Sequence, residues 1–209
     1  MQPETRFAFK EWAVVCAALA SGRQTLILRK GGIHEGHDQF RVEHHEFWLF
    51  PTGFHQRRDE ITSVAWPLLD ELQSQDEPRG HRLDLFAVVQ DVEQVLDRSA
   101  LIRLTGRHIW SESTVEQRFQ YHTPGLFVLT ARVYRRPTPI EIDDSPYLAG
   151  CKSWVELPAV VPTSGLQPVL DDSTFDRQRR EIQQLLAGGS DDYLTAPEIP
   201  ATFSSLQRT

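Results

Sequence analysis

The chain has 209 residues, 40% hydrophobic and 10% aromatic, which is long enough to bury a substantial core and too apolar for a disordered polypeptide. Its formal net charge of −7 argues against a broad phosphate-neutralising surface, and no apolar run approaches the roughly 18 residues of a membrane helix. The opening Met1-Gln2-Pro3-Glu4 lacks the basic region and apolar core of a signal peptide, so a cytoplasmic location is expected.

Phe9, Trp12, Cys16 and Leu19 recur at three- and four-residue spacing before Gly22, which predicts an amphipathic helix from about Phe9 to Ala20. A two-strand hairpin turning near Ser21-Gly22 is the competing reading. Gln24 to Lys30 reads as a strand bounded by Gly31-Gly32. After a polar loop, Phe40 and Val42 begin a half-buried strand, and Phe47-Trp48-Leu49-Phe50 forms a better-buried one that stops at Pro51. A helix then opens at Thr52 or Gly53, with Ile61, Val64, Ala65, Leu68, Leu69 and Leu72 as its buried stripe and a kink at Pro67.

Gln73 to Gly80 is a polar linker. Leu83 to Leu96 reads as one long strand, and Asp97 or Ser99 caps a short helix over Ala100–Leu104. Leu126 to Tyr134 is the clearest strand, ended by Pro137 and Pro139. Residues 143–172 look irregular, and Thr174 to Ala187 is a charged helix stopped by Gly188-Gly189. One globular domain over residues 1–188 and a disordered tail over 189–209 are expected. Helices and strands do not alternate regularly, and no phosphate-loop spacing follows a strand. The fold class is therefore α+β, with a mixed, mainly antiparallel sheet.

Charge is uneven. Residues 1–60 carry eight basic and eight acidic side chains, so a local cationic groove belongs in this first third. Nineteen Arg stand against three Lys (Lys10, Lys30 and Lys152), and a chain so biased keeps Lys where a compact ammonium is required. At the end of a buried strand, Arg29 and Lys30 are candidates for phosphate, and Gly31 and Gly32 let a ligand approach the backbone. Trp48 and Trp110 offer stacking faces for a base.

Five of eight histidines fall between His34 and His55, interleaved with carboxylates. On a strand His44 and Glu46 share a face, so His44, Glu46 and His55 form a candidate acid–base or metal-assisted hydrolytic group. No HExxH spacing is present and no metal is assigned. Cys16 and Cys151 read as reduced thiols, and the absence of a CxxC pair excludes a zinc ribbon.

Lys10-Glu11-Trp12, Leu28 to Ile33, Leu49-Phe50-Pro51-Thr52 with His55-Gln56, His108-Ile109-Trp110, Arg118-Phe119 and Gly150-Cys151-Lys152-Ser153-Trp154 together resemble the bacterial family called domain of unknown function 1802, from about Phe9 to Leu186. The resemblance implies no activity, but it adds Gln56, His108 and Lys152 to the ligand-binding candidates. A helix ending at Ser21-Gly22 followed by Gln24 to Arg29 is similar to the opening of PUA-like domains, including their ASCH branch. That likeness implies a small β-barrel flanked by helices, and RNA, modified bases or nucleotide-like amides as ligands.

Three functions follow as expectations. The first is recognition of RNA, single-stranded DNA or a nucleotide in a basic and aromatic cleft. The second is a hydrolase, with a metal-dependent phosphodiesterase as one form, built on the histidine cluster. The third is a protein-interaction domain using the acidic helix near Asp176–Leu186. None involves a membrane.

Overall fold

In the computed structural model, which describes residues 1–30, 42–53, 56–74, 80–148, 150 and 152–188, Glu4–Trp12 form a strand, β1, that runs directly into helix α1 (Ala13–Ala20). The spacing had predicted helix from Phe9. The cause of the difference is burial: β1 is covered on both faces at Ala8 and Phe9, so it lacks the alternation of a half-exposed strand. Phe9, Trp12, Cys16 and Leu19 merely straddle a strand–helix junction at helical intervals.

Strands β2 (Leu26–Arg29) and β3 (Glu46–Thr52) fall where expected. β3 continues past Pro51, because near a strand's end the missing N–H costs little. The next helix begins later than the pattern suggested, as α2 (Trp66–Ser74), after single 3₁₀ turns at Arg58–Glu60 and Ser63–Ala65. Pro67 sits in the first turn of α2. There its absent donor would have had no intrahelical partner, so Pro67 opens the helix instead of kinking it.

β4 (His81–Val95) and β5 (Leu126–Ile142) make a long antiparallel hairpin. Pro137 and Pro139 do not end β5. Leu85 pairs with Arg135 and Leu83 with Ile140, so both prolines lie in the intervening bulge, where no ladder donor is needed. The same register shift sends Leu83 and Leu85 into opposite cores, although strict alternation would place them on one face.

α3 (Arg98–Arg103) starts at Asp97, whose carboxylate accepts the Ser99 N–H at 2.9 Å. α4 (Glu112–Gln120) is capped by Ser111 and was not foreseen. Nor were β6 (Trp154–Pro162) and the two-residue β7 (Gln167–Pro168), both in the stretch expected to be irregular. α5 (Asp172–Ala187) ends as expected at Gly188, which takes the left-handed φ of 78°.

The sheet order is β2-β5-β4-β3-β1-β6, with β7 extending along β5. Among the described residues only β1 and β3 run parallel, and the two ends of the order do not pair, so the described sheet is open rather than closed into a barrel. Helices α1 to α5 each contribute to the core on one face, with Phe9, Phe47 and Leu49. Trp48, Phe50 and Phe86 pack on the other, against Leu148. The architecture is α+β with helices segregated to one side. Among the described residues no helix is long and apolar enough to cross a membrane, and the tail expected over 189–209 lies outside them.

Candidate functional site

Along β1, Phe7, Phe9 and Glu11 point to the helical face of the sheet. Glu11 is a carboxylate at only 2% exposure, and both its oxygens are held. Oε1 accepts the Trp12 N–H at 2.8 Å, and Oε2 pairs with the Arg29 guanidinium at 3.4 Å. Arg29 leaves the end of β2, lies 4.4 Å above the Phe9 ring and donates through Nη2 to Ser153 Oγ at 2.9 Å. Its Nε is buried without a partner. Arg29 thus sits at the end of a strand in a cluster anchored by Glu11 and Ser153.

A second arginine completes it. Arg118, in the last turn of α4, lies with its guanidinium 3.7 Å from the centre of the Trp110 ring and 5.7 Å from that of Trp12. Burial pushes its pKa below the ordinary value, Glu11 and Glu60 oppose this, and Arg29 reinforces it. Among the described residues, no acceptor lies within hydrogen-bond reach of this guanidinium. Its five N–H donors in a fixed fork are therefore left to water or to a ligand, since none of them is among the fully buried atoms without a partner.

The neighbouring elements hold this geometry in place. Ile61 bridges to Trp110, and the Thr62 N–H donates to the Ile109 carbonyl at 2.7 Å. Trp12 meets Trp110 edge-on at 4.8 Å. Gln56 Oε1 caps α1 by accepting the Val14 N–H at 2.8 Å, so Gln56 acts through the backbone beside Glu11. His108 is buried, and neither ring nitrogen has a hydrogen-bond partner of good geometry. Burial lowers its pKa to about 4, the Trp110 backbone opposes this, and Arg118 adds to it. His108 is then a neutral ring beneath the cation.

Several predicted contacts have other work. Lys30 is engaged within the fold. Its ammonium donates to the carbonyls of Phe119 at 3.1 Å, Gly125 at 2.9 Å and Thr123, closing the C-terminal end of α4, and burial lowers its pKa. Lys30 thereby anchors the turn that carries Arg118. Trp48 is fully buried in the second core and presents no stacking face. Trp110 has one face covered by the Arg118 guanidinium. Gly31 and Gly32 lie outside the described residues.

The proposed acid–base trio is not assembled among the described residues. His44 precedes β3, so strand alternation does not govern it. It stacks on Phe7 at 3.5 Å on the helical face, whereas Glu46 shares the opposite face with Trp48. Glu46 accepts the Gln2 N–H and pairs with the Met1 amino group. His55 lies outside the described residues, and no group of three metal-binding side chains occurs among those described. Lys152 and His44 instead border a separate cleft of about 160 Å³ beside Trp154.

Glu11, Arg118 and Ser153 were not singled out as site residues from the sequence. The available signal was their position inside the segments Lys10-Glu11-Trp12, Arg118-Phe119 and Gly150 to Trp154.

Fold and site together define an α+β protein whose mixed sheet presents two arginines stacked on aromatic rings around one buried carboxylate. The chain belongs to the family described as Domain of unknown function (DUF1802), whose model matches residues 8–181. Among solved structures it is similar to the ASCH protein from Zymomonas mobilis, at 13% identity and a TM-score of 0.38 over 86% of this chain and 94% of that one. A serine-to-alanine mutant of the same protein aligns at 13% identity and a TM-score of 0.38, over 86% of this chain and 98% of that one. Curated proteins provide no match to the chain.

Proposed function

We propose that this chain is a recognition domain for a nucleotide or for single-stranded nucleic acid, with Arg118 as the principal phosphate contact and Arg29 beside it. The observation that carries the reading is the Arg118 guanidinium, stacked on Trp110 and without an acceptor among the described residues. A phosphate accepts two parallel N–H bonds from such a fork, which supplies the missing partners and neutralises the charge. Glu11 holds Arg29 at a fixed angle and keeps the pair from being a simple sum of two repelling cations. Half-buried Trp12, edge-on to Trp110, provides an aromatic wall for a base or sugar.

The whole-chain charge of −7 favours a compact local site over a broad basic track, and therefore nucleotides and short single strands over duplex. The test is titration of RNA, single-stranded DNA and mononucleotides at low salt into the wild type and Arg118→Met, which keeps an unbranched apolar stem. Arg118→Met is expected to bind roughly tenfold to a hundredfold more weakly, with thermal melting of the two proteins compared to show that the variant keeps its fold. A wild type that binds none of these ligands overturns the reading. So does an Arg118→Met protein that binds normally.

A further inference from the structure

The cleft beside Trp154 opens at the β6 edge, with Val155 and Tyr147 towards one sheet face and Phe7, Trp154 and Glu156 on that of the arginine pair. Phe7, Phe9 and Glu11 follow one another on that face of β1, and β6 runs antiparallel beside them with Trp154 opposite Phe9 and Glu156 opposite Phe7. Rings connect the two places: Arg29 over Phe9, Phe9 edge-on to Trp154 at 4.8 Å, Trp154 edge-on to His44 at 5.2 Å, and His44 stacked on Phe7. At about 3.3 Å per residue, Phe7 and Glu11 are roughly 13 Å apart along the strand.

The cleft is walled by Phe7, His44 and Trp154, and encloses about 160 Å³, a space suited to one planar ring system. Tyr147 stands at its edge with 61% of its surface exposed, so its ring is accessible for a base in the cleft to stack on. Two carboxylates, Glu43 and Glu156, border the cleft, Glu156 with Arg6 at 3.7 Å, and Lys152 lines it as well. Carboxylates accept hydrogen bonds from the exocyclic amino groups of bases, and an ammonium binds phosphate.

We infer that this cleft is a base subsite of the same ligand-binding surface, taking an amino-bearing base from a single strand whose phosphate sits at Arg118 and Arg29. The inference rests on the nucleic-acid reading above and deepens it: the ligand is an oligonucleotide of at least two units, since a single nucleotide is too short to occupy both places. Burial and the aromatic walls give affinity, and Glu43 and Glu156 discriminate against bases that lack an amino group.

The experiment compares adenosine monophosphate, a 5′-phosphorylated tri-adenylate and the matching tri-uridylate on the wild type, Tyr147→Ala and Arg118→Met. In the wild type, tri-adenylate binds at least about tenfold more tightly than the monophosphate and more tightly than tri-uridylate, the increment expected for one stacked base. Tyr147→Ala brings the ratio of tri-adenylate to monophosphate affinity close to one, and Arg118→Met weakens both ligands. Equal binding of monophosphate and tri-adenylate by the wild type overturns the base subsite and leaves the phosphate site standing. A Tyr147→Ala protein with the wild-type ratio does the same. Agmatine binding that Tyr147→Ala abolishes, with oligonucleotide binding intact, makes the cleft an amine site and also overturns the inference. If no nucleotide of any length binds, the underlying reading falls and this one with it.

Discussion

His108 shows how a single side chain records its surroundings. Its folded pKa of about 4 lies below the ordinary 6.5, chiefly because burial disfavours the imidazolium. Between these two values the unfolded chain takes up a proton that the folded chain refuses. Stability is therefore fully present above pH ~6.5, falls as the pH drops towards about 4, and loses nothing further from this group below that. At pH ~4.5 the expected loss is about 2.5 kcal/mol. Urea unfolding of the wild type and His108→Phe at pH 7 and pH 4.5 measures it. The variant should show a smaller drop by about that amount, and equal drops in the two proteins would remove His108 from the account. The lysines carry a different lesson at the same scale. Lys10 donates to the carbonyls of Leu148 and Gly150, as Lys30 does to three others. A tetrahedral ammonium suits such converging carbonyls, and a planar guanidinium does not. The bias of nineteen Arg to three Lys was visible in the sequence, but which carbonyls the ammoniums serve required the fold.

At the scale of elements, α4 depends on Lys30, which satisfies carbonyls that the end of a helix leaves open and offsets the negative end of its dipole. Lys30→Met and Lys30→Arg should each lower stability by about 2 to 4 kcal/mol, read as a shifted urea midpoint. Wild-type stability in Lys30→Arg would mean that charge alone matters, not shape. The visibility of each element in the sequence follows from its physics. β4, α3 and α5 were legible because each carries a local signal: a valine-rich run, an Asp97 cap, a Gly188 stop. β1 was hidden because covering both faces erases alternation, and the strand runs into α1 without an intervening turn residue. β5 looked shorter than it is because Pro137 and Pro139 signal a stop unless a bulge absorbs them, and a bulge depends on the partner strand. β6 is an edge strand interrupted by Pro158 whose ladder is made with β1 more than a hundred residues earlier, so no local pattern could reveal it. The site was hidden for the same reason. Arg29 was readable at the end of an apolar run, but Arg118 becomes significant only when the Ile61–Trp110 bridge brings its indole under it.

At the scale of the whole molecule, the proposed reading requires an acidic protein to hold a polyanion. The excess of negative charge falls after residue 60, and the described carboxylates are widely paired: Asp91 with Arg179, Glu116 with Arg98, Glu181 with Arg107. Long-range steering is therefore weak or repulsive, and affinity has to come from close contacts. That distinction is measurable, because each phosphate neutralised on a single strand contributes about −0.7 to the slope of log K against log salt. With Arg118 and one further cation engaged, the expected slope is roughly −1.4, and Arg118→Met should bring it to about half that value. A slope of about −4 or steeper would require some six phosphate contacts, more cations than this face assembles, and would place the binding surface elsewhere on the protein. A shallow slope that Arg118→Met leaves untouched would show that stacking alone holds the strand, with the guanidinium acting only as a strut beneath Trp110.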